Sequence, residues 1–134
     1  MDTQSRALTN QTVGDFKNPT EPILREAYRK LIVEVLSIHA NIPEANPQIK
    51  TVTIFDFHAD RYQLLRIGWT DLQQRIFNPI LHIDIIEDKV WIQENRTDID
   101  IGEELSERGI PKSSIVLGFH PPHIRPYNLD YSIV

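Results

Sequence analysis

The stretch ILHIDIIEDKVWIQE, residues 80–94, predicts two β-strands joined at Glu87-Asp88. Alternation of apolar and polar side chains on both sides of a short polar turn is typical of a β-hairpin. With a two-residue loop, Ile85 lies opposite Val90, and the alternation gives the hairpin two different faces. One face is aliphatic, with Leu81, Ile83, Ile85, Val90 and Ile92. The other carries His82, Asp84, Trp91 and Gln93.

A helix is predicted upstream of this hairpin, beginning at Thr20 and ending before Asn41 and Pro43. Thr20 is a suitable N-cap, and the later asparagine and proline are typical of a loop. The helix assignment rests on one stripe of apolar or aromatic residues with a period near 3.6, at positions 23, 24, 27, 28, 31, 32, 35 and 36.

Two more strands are predicted between the helix and the hairpin, which gives strands over residues 51–57, 62–70, 75–86 and 89–94. Placing Phe57 opposite Tyr62 in the first pair also places Ile54 opposite Leu65. The third strand is expected to be irregular at Pro79, because proline cannot donate to a ladder. Short connections favour an antiparallel meander.

A second helix is predicted over residues 98–108, capped by Thr97 or Asp98. Gly109 suits the left-handed position after a helix end, and Ile110 can fold back onto Leu105. Residues 115–119 follow as a short edge strand, and the remaining tail is proline-rich. The sequence therefore predicts an α+β fold: an N-terminal helix, a four-stranded antiparallel meander, a second helix, and a short C-terminal strand or extended tail.

The composition is that of one ordinary domain. The chain has 134 residues, 40% hydrophobic and 25% charged, and it contains no cysteine. Residues 1–19 are polar and aperiodic, which predicts a disordered arm before a single domain over 20–134. Cysteine-based metal or nucleophile chemistry is excluded. The absence of cysteine makes a reducing cytoplasm the simplest compartment. No apolar run approaches a membrane span, so no membrane contact is expected.

Charge is concentrated in residues 84–107, which hold nine acids and two bases within a chain of net charge −5. Such a segment repels phosphate backbones and makes direct DNA binding less favoured. A solvated helix face is the simpler interpretation, and a docking surface for a basic protein partner is the alternative.

An aromatic sheet face is the main candidate for partner binding. Phe55, Phe57, Tyr62, Leu64 and Trp91 are all predicted to point away from the side covered by the first helix. The second helix or the tail could cover this face. The alternative is an interface with a partner or a second copy, where aromatic residues are enriched. The candidate partner-binding residues are Phe55, Tyr62, Leu64, Trp91 and Gln93.

A polar cluster is the main candidate for chemistry. His82 and Asp84 share one strand face, and with His120 they are candidates for an acid–base pair, a metal site or a small-ligand site. A solvent-facing polar patch is the favoured interpretation. Asp56, His58 and Asp60 alternate as metal ligands can, but they lie in a predicted turn. No phosphate loop or nucleophile motif is present, so no cofactor and no metal are expected.

The chain resembles the XisI-like family, the fdxN element excision controlling factors of cyanobacteria. The resemblance covers residue 22 to the C-terminus. It rests on an ordered set of short pieces: Tyr62-Gln63-Leu64-Leu65, Gly68-Trp69, His82-Ile83-Asp84-Ile85, Lys89-Val90-Trp91-Ile92-Gln93, Gly109-Ile110-Pro111-Lys112 and Leu117-Gly118-Phe119-His120. Residues 94–97 depart from the family pattern, in which an acidic residue and glycine precede the threonine.

The resemblance implies a non-enzymatic regulator of site-specific DNA excision in heterocyst-forming cyanobacteria. Its implied partner is a recombinase or a companion nuclease-like factor. A homodimer is a separate expectation, which rests on the aromatic sheet face. Two alternatives stay open. One is a metal-dependent hydrolase or small-ligand protein around His82, Asp84 and His120. The other is direct DNA binding through Arg25, Arg29 and Lys30 of the first helix, or through the strand arginines Arg61, Arg66 and Arg75.

Overall fold

A computed structural model describes residues 21–134 of the chain. The expected N-terminal arm and the Thr20 cap lie outside these residues. The elements are α1 (Glu21–Ala40), β1 (Ile49–Asp56), β2 (Arg61–Trp69), β3 (Arg75–Ile86), β4 (Lys89–Asn95), α2 (Ile101–Glu107) and β5 (Ile115–Leu117), with short 3-10 turns at Lys112–Ser114 and Arg125–Tyr127. The predicted α+β fold is confirmed. No helix in the described part of the chain is long and apolar enough to cross a membrane.

The sheet has five strands in the order β1-β2-β3-β4-β5. The first four form the predicted antiparallel meander, and β5 joins β4 in parallel after the α2 crossover. The β3–β4 hairpin has the predicted register, with Ile85 opposite Val90. Glu87 and Asp88 both have positive φ, as a tight two-residue hairpin turn requires.

The predicted register of β1 and β2 is wrong by two residues. Phe55, not Phe57, lies opposite Tyr62, and Ile54 lies opposite Gln63. The side chain of Asp56 accepts hydrogen bonds from the backbone N–H groups of His58 and Ala59, so the turn begins earlier than predicted. A slip of two residues keeps every side chain on its original face.

The predicted aromatic face is also wrong, because β2 pairs Tyr62 with Ile83 and Leu64 with Leu81. These side chains therefore share the aliphatic face of the β3–β4 hairpin and pack against α1. Tyr62 and Leu64 are fully buried, and Phe55 is partly buried against the same core. Trp91 lies on the opposite side, called here the second face. A bulge between Leu64 and Leu65, opposite the segment around Pro79, marks the expected irregularity of β3.

Helix α1 covers the aliphatic face with only part of its apolar stripe. Tyr28, Ile32, Val35 and Leu36 are buried in the core. The first turn of the stripe is exposed, namely Ile23, Leu24 and Ala27. Arg25 in this turn binds Asp88 of the β3–β4 turn at 2.6 Å, so this part of α1 lies at the end of the sheet and not over its centre.

Arg29 of α1 binds the second hairpin turn. Its guanidinium donates to both carboxylate oxygens of Asp60, at 2.5 and 3.1 Å, and the hydroxyl of Tyr62 donates to the same carboxylate at 2.7 Å. Burial raises the pKa of Asp60, but the hydrogen bonds from Arg29 and Tyr62 outweigh it, so this pKa lies below its usual value. Burial and Asp60 together raise the pKa of Tyr62.

Helix α2 begins later than predicted. Its N-cap is Asp100, whose side chain accepts from the backbone N–H of Glu103, and not Thr97 or Asp98. Asn95 and Thr97 instead build the preceding turn through side chain to backbone hydrogen bonds. The helix end is as predicted. Gly109 has φ +123°, and the N–H of Ile110 donates to the carbonyl of Leu105.

Replacing Asp100 by alanine should lower the free energy of unfolding by about 1 kcal/mol, because it removes the N-cap of α2. The matched control is Asp98→Ala, which removes an exposed carboxylate in the same loop and should change stability by less than about 0.5 kcal/mol. Urea unfolding followed by circular dichroism measures both. Equal losses in the two variants would show that the cap is misassigned.

Candidate functional site

The second face of the sheet is open at one end. Three of its side chains are large, apolar and exposed: Ile54 at 48%, Trp69 at 44% and Phe77 at 59%. Trp69 lies opposite Arg75, and Ile67 lies opposite Phe77, across the β2–β3 pair. The guanidinium carbon of Arg75 lies 5.1 Å from the Trp69 ring centroid and 6.0 Å from that of Phe77. Ile67, Trp69, Arg75 and Phe77 are called the Trp69–Phe77 patch below.

The middle of the second face carries a polar network around His82. One ring nitrogen lies 2.7 Å from a carboxylate oxygen of Asp84, and the other lies 2.9 Å from the side-chain oxygen of Gln63. The amide of Gln93 donates to the second oxygen of Asp84 at 3.2 Å. His82 and Asp84 are therefore brought together as predicted, and their polar atoms are engaged by neighbouring side chains.

The hydrogen-bond partners of His120 do not belong to this network. Within residues 21–134 it makes no hydrogen bond to His82 or Asp84. Its ring contacts the amide of Asn128 at 3.3 Å, and its carbonyl accepts from Arg125 at 2.9 Å.

Arg125 links the C-terminal tail to the second face. Its guanidinium lies over the ring of Trp91, 5.1 Å from the centroid. Arg125 thus covers part of Trp91, and Ser132 forms a bridge with Val116 at the outer edge of β5. Trp91 is half-buried as a result, whereas the Trp69–Phe77 patch at the other end stays open.

In the described part of the chain, no three His, Asp or Glu side chains lie close enough together to hold a metal ion. Asp56, His58 and Asp60, the alternating residues of the β1–β2 turn, do not form a common site. Asp56 caps the turn, and Asp60 points to Arg29 and Tyr62. His58 is exposed.

The acid-rich segment is not one continuous acidic surface. Three of its carboxylates form ion pairs with residues outside the segment: Asp88 with Arg25, Glu103 with Lys112 and Glu104 with His39. Glu94 pairs with Arg96 inside it. Glu87, Asp98 and Glu107 are exposed. The pattern therefore serves largely to join the helices to their neighbours.

Two of the three basic residues proposed for DNA binding on α1 are in ion pairs. Arg25 and Arg29 are held by Asp88 and Asp60, and Lys30 is exposed. Guanidinium groups in such ion pairs present less charge to a phosphate backbone than free ones.

The predicted partner-binding residues divide between the two faces. Tyr62 and Leu64 have no exposed surface to offer a partner, and Phe55 offers little. Trp91 and Gln93 do lie on the second face. Trp69 and Phe77 were not among the predicted partner-binding residues, and Arg75 was considered only as a strand arginine for DNA binding. Their alternation in β2 and β3 was visible in the sequence, but their exposure depends on which face α1 covers.

Comparison with known proteins identifies relatives of the whole described domain. The family model for the XisI protein matches residues 24–133. A crystal structure of a XisI-like protein from Anabaena variabilis ATCC 29413 superposes with a TM-score of 0.75 at 33% identity, covering 83% of this chain and 99% of that one. The fdxN element excision controlling factor XisI from the same organism gives a TM-score of 0.71 at 31% identity, with coverages of 83% and 99%. Among curated protein sequences none matches.

Proposed function

The chain belongs to the XisI family, and on that premise we propose that it is an accessory factor that controls excision of a DNA element by contacting a DNA-processing protein. Its role is regulatory and not enzymatic. The partner is a recombinase or a companion nuclease-like factor. Two observations support this role: the similarity to an excision controlling factor, and the exposed aromatic side chains on the second face.

The observation that carries the proposal is the open Trp69–Phe77 patch. The patch has two exposed aromatic rings, Trp69 and Phe77, with Arg75 beside both. Aromatic residues and arginine contribute much of the binding energy at protein interfaces. A monomer seldom leaves such side chains together on one sheet face. Arg125 of the tail covers part of Trp91, and the His82 network occupies the middle of the second face, so a partner binds over β2 and β3 at the Trp69 end.

Charge favours a protein partner over nucleic acid. The chain has a net charge of −5, and two of the three basic residues on the first half of α1 are in ion pairs. A DNA-processing protein carries a basic surface for its own substrate, to which an acidic accessory factor is electrostatically matched.

Replacing Trp69 and Phe77 together by alanine should abolish co-purification of the tagged chain with the protein encoded beside it. Loss of two aromatic anchors from one interface typically weakens binding by about a hundredfold or more. Circular dichroism should remain that of the wild type, because both side chains are exposed in the free protein.

The matched control is Ile23→Ala, which removes an exposed apolar side chain from α1, on the other side of the sheet. This variant should co-purify normally. If the double variant retains the partner, the patch is not the docking surface. If the wild type itself retains neither the neighbouring protein nor the recombinase, the accessory role proposed here is wrong.

A further inference from the structure

The two edges of the sheet differ in how they are protected. At the β5 edge, Ser132 of the tail pairs with Val116, and its N–H donates to the carbonyl of Ile115 at 2.9 Å. At the other edge, β1 presents eight residues, Ile49–Asp56, in the last position of the strand order. A long edge strand with unpaired backbone groups is a template for another strand.

The direction of the backbone groups in β1 follows from its ladder. The N–H of Trp69 donates to the carbonyl of Gln48, and in an antiparallel pair such bonds recur at every second residue. Even-numbered residues of β1 therefore bond to β2. The backbone N–H and C=O groups of Thr51, Thr53 and Phe55 point to the free edge.

We propose that β1 pairs with β1 of a second copy of this chain, antiparallel, with Thr53 on the twofold axis. In this register Thr51 lies opposite Phe55 of the second copy, and the outward backbone groups of both strands meet. On the second face, Lys50 lies opposite Asp56, and Val52 lies opposite Ile54. The two sheets become one continuous sheet.

The charges on β1 are self-complementary, which favours this register and favours a second copy of the chain as the partner strand. Lys50 and Asp56 are both exposed, and each is equidistant from Thr53, so both ends of the joint carry an opposite-charge pair. Moving the axis to Thr51 puts Lys50 opposite Val52, and moving it to Phe55 puts Asp56 opposite Ile54. Both shifts lose the ion pairs.

The proposed joint and the Trp69–Phe77 patch use different strands. The joint uses the β1 edge, whereas the Trp69–Phe77 patch lies on the β2–β3 pair. Dimerisation through β1 and partner binding through the patch are therefore separate properties, and either can be tested without the other.

Sedimentation velocity over a range of protein concentrations, with amide hydrogen exchange by NMR at the highest concentration, tests the proposal. A dimer is expected, with the N–H groups of Thr51, Thr53 and Phe55 protected as well as those of Val52 and Ile54. A monomer at every concentration would overturn the proposal. So would a dimer in which the three odd-numbered amides exchange freely, since another surface would then join the copies.

Lys50→Glu should raise the dimer dissociation constant by about tenfold or more, because an acidic residue then lies opposite Asp56 on both sides of the axis. The matched control is Lys30→Glu, which makes the same charge change at an exposed position of α1 and should leave the dimer intact. Thr53→Pro should give a folded monomer, since proline is tolerated where an edge N–H faces solvent. Equal effects of the two charge reversals would reject the register.

Discussion

Replacing Asp60 by asparagine should lower the free energy of unfolding by about 3 kcal/mol at neutral pH. Asp60 is 8% exposed and its carboxylate pairs with Arg29, which in the variant would keep only the exposed Glu26 as an acidic partner. Breaking one side of a buried ion pair typically costs this much, because the remaining charge stays desolvated. Asparagine tolerates the positive φ of residue 60, so the loss reports the charge and not the turn.

The loss should depend on pH in a direction fixed by the pKa of Asp60. Folding lowers this pKa, so the carboxylate contributes stability above its unfolded value, near about 4, and that contribution disappears as pH falls through the folded value. Wild type and Asp60→Asn should therefore differ most at neutral pH and converge below about pH 4. Urea unfolding at several pH values measures the difference.

The control for this variant is Glu26→Gln, which removes the other, exposed partner of Arg29. Surface pairs of this kind contribute little, so the expected change is under about 0.5 kcal/mol. If Asp60→Asn costs no more than Glu26→Gln, or if its cost is the same at pH 3 and pH 7, the proposed electrostatic joint between α1 and the β1–β2 turn is wrong.

Gly68→Ala should cost at least about 3 kcal/mol, or prevent folding, because β1 lies against the backbone of Gly68. A Cβ at this position would come within 2.7 Å of the Cα of Ile49 and closer still to the carbonyl of Gln48. These are backbone atoms held in a paired strand, and Ile49 is itself buried in the sheet. Relief would require β1 and β2 to separate, which places the substitution among the most destabilising kinds.

The matched control is Gly109→Ala. Gly109 has a positive φ at the end of α2, but a Cβ there would meet only Leu31, at 3.9 Å. Its cost should be about 1 kcal/mol, from backbone strain alone. Thermal and urea unfolding measure the loss of stability in each variant: backbone strain alone in Gly109→Ala, and a steric clash with β1 in Gly68→Ala. Similar losses would show that β1 can move away from Gly68.

Much of the fold could be predicted because its signals are local. The β3–β4 register followed from alternation around a two-residue turn, and the end of α2 followed from Gly109 and Ile110. The β1–β2 register was missed because the side chain of Asp56 caps the turn and ends β1 one residue earlier than predicted. The α2 start was missed because Thr97 has the chemistry of a cap but bonds to Asn95 instead.

The candidate site was harder to predict than the fold. The pairing of His82 with Asp84 follows from their positions on one strand, so it was visible in advance. The open patch was not, because Trp69 and Phe77 look like core residues by type. The bonds of Arg29 to Asp60 join positions 31 residues apart, and nothing near either residue indicates them.

The sequence by itself determined which residues form helices and strands, and which side chains share a face, because periodicity along one element is a property of that element alone. Only the tertiary structure decided which face of the sheet meets α1. Both faces of β1 and β2 carry large apolar side chains among polar ones, so alternation could not rank them. The choice came from the pairing of Tyr62 with Ile83, which aligns one face with the uniformly aliphatic side of the β3–β4 hairpin and leaves Trp69 and Phe77 on the other.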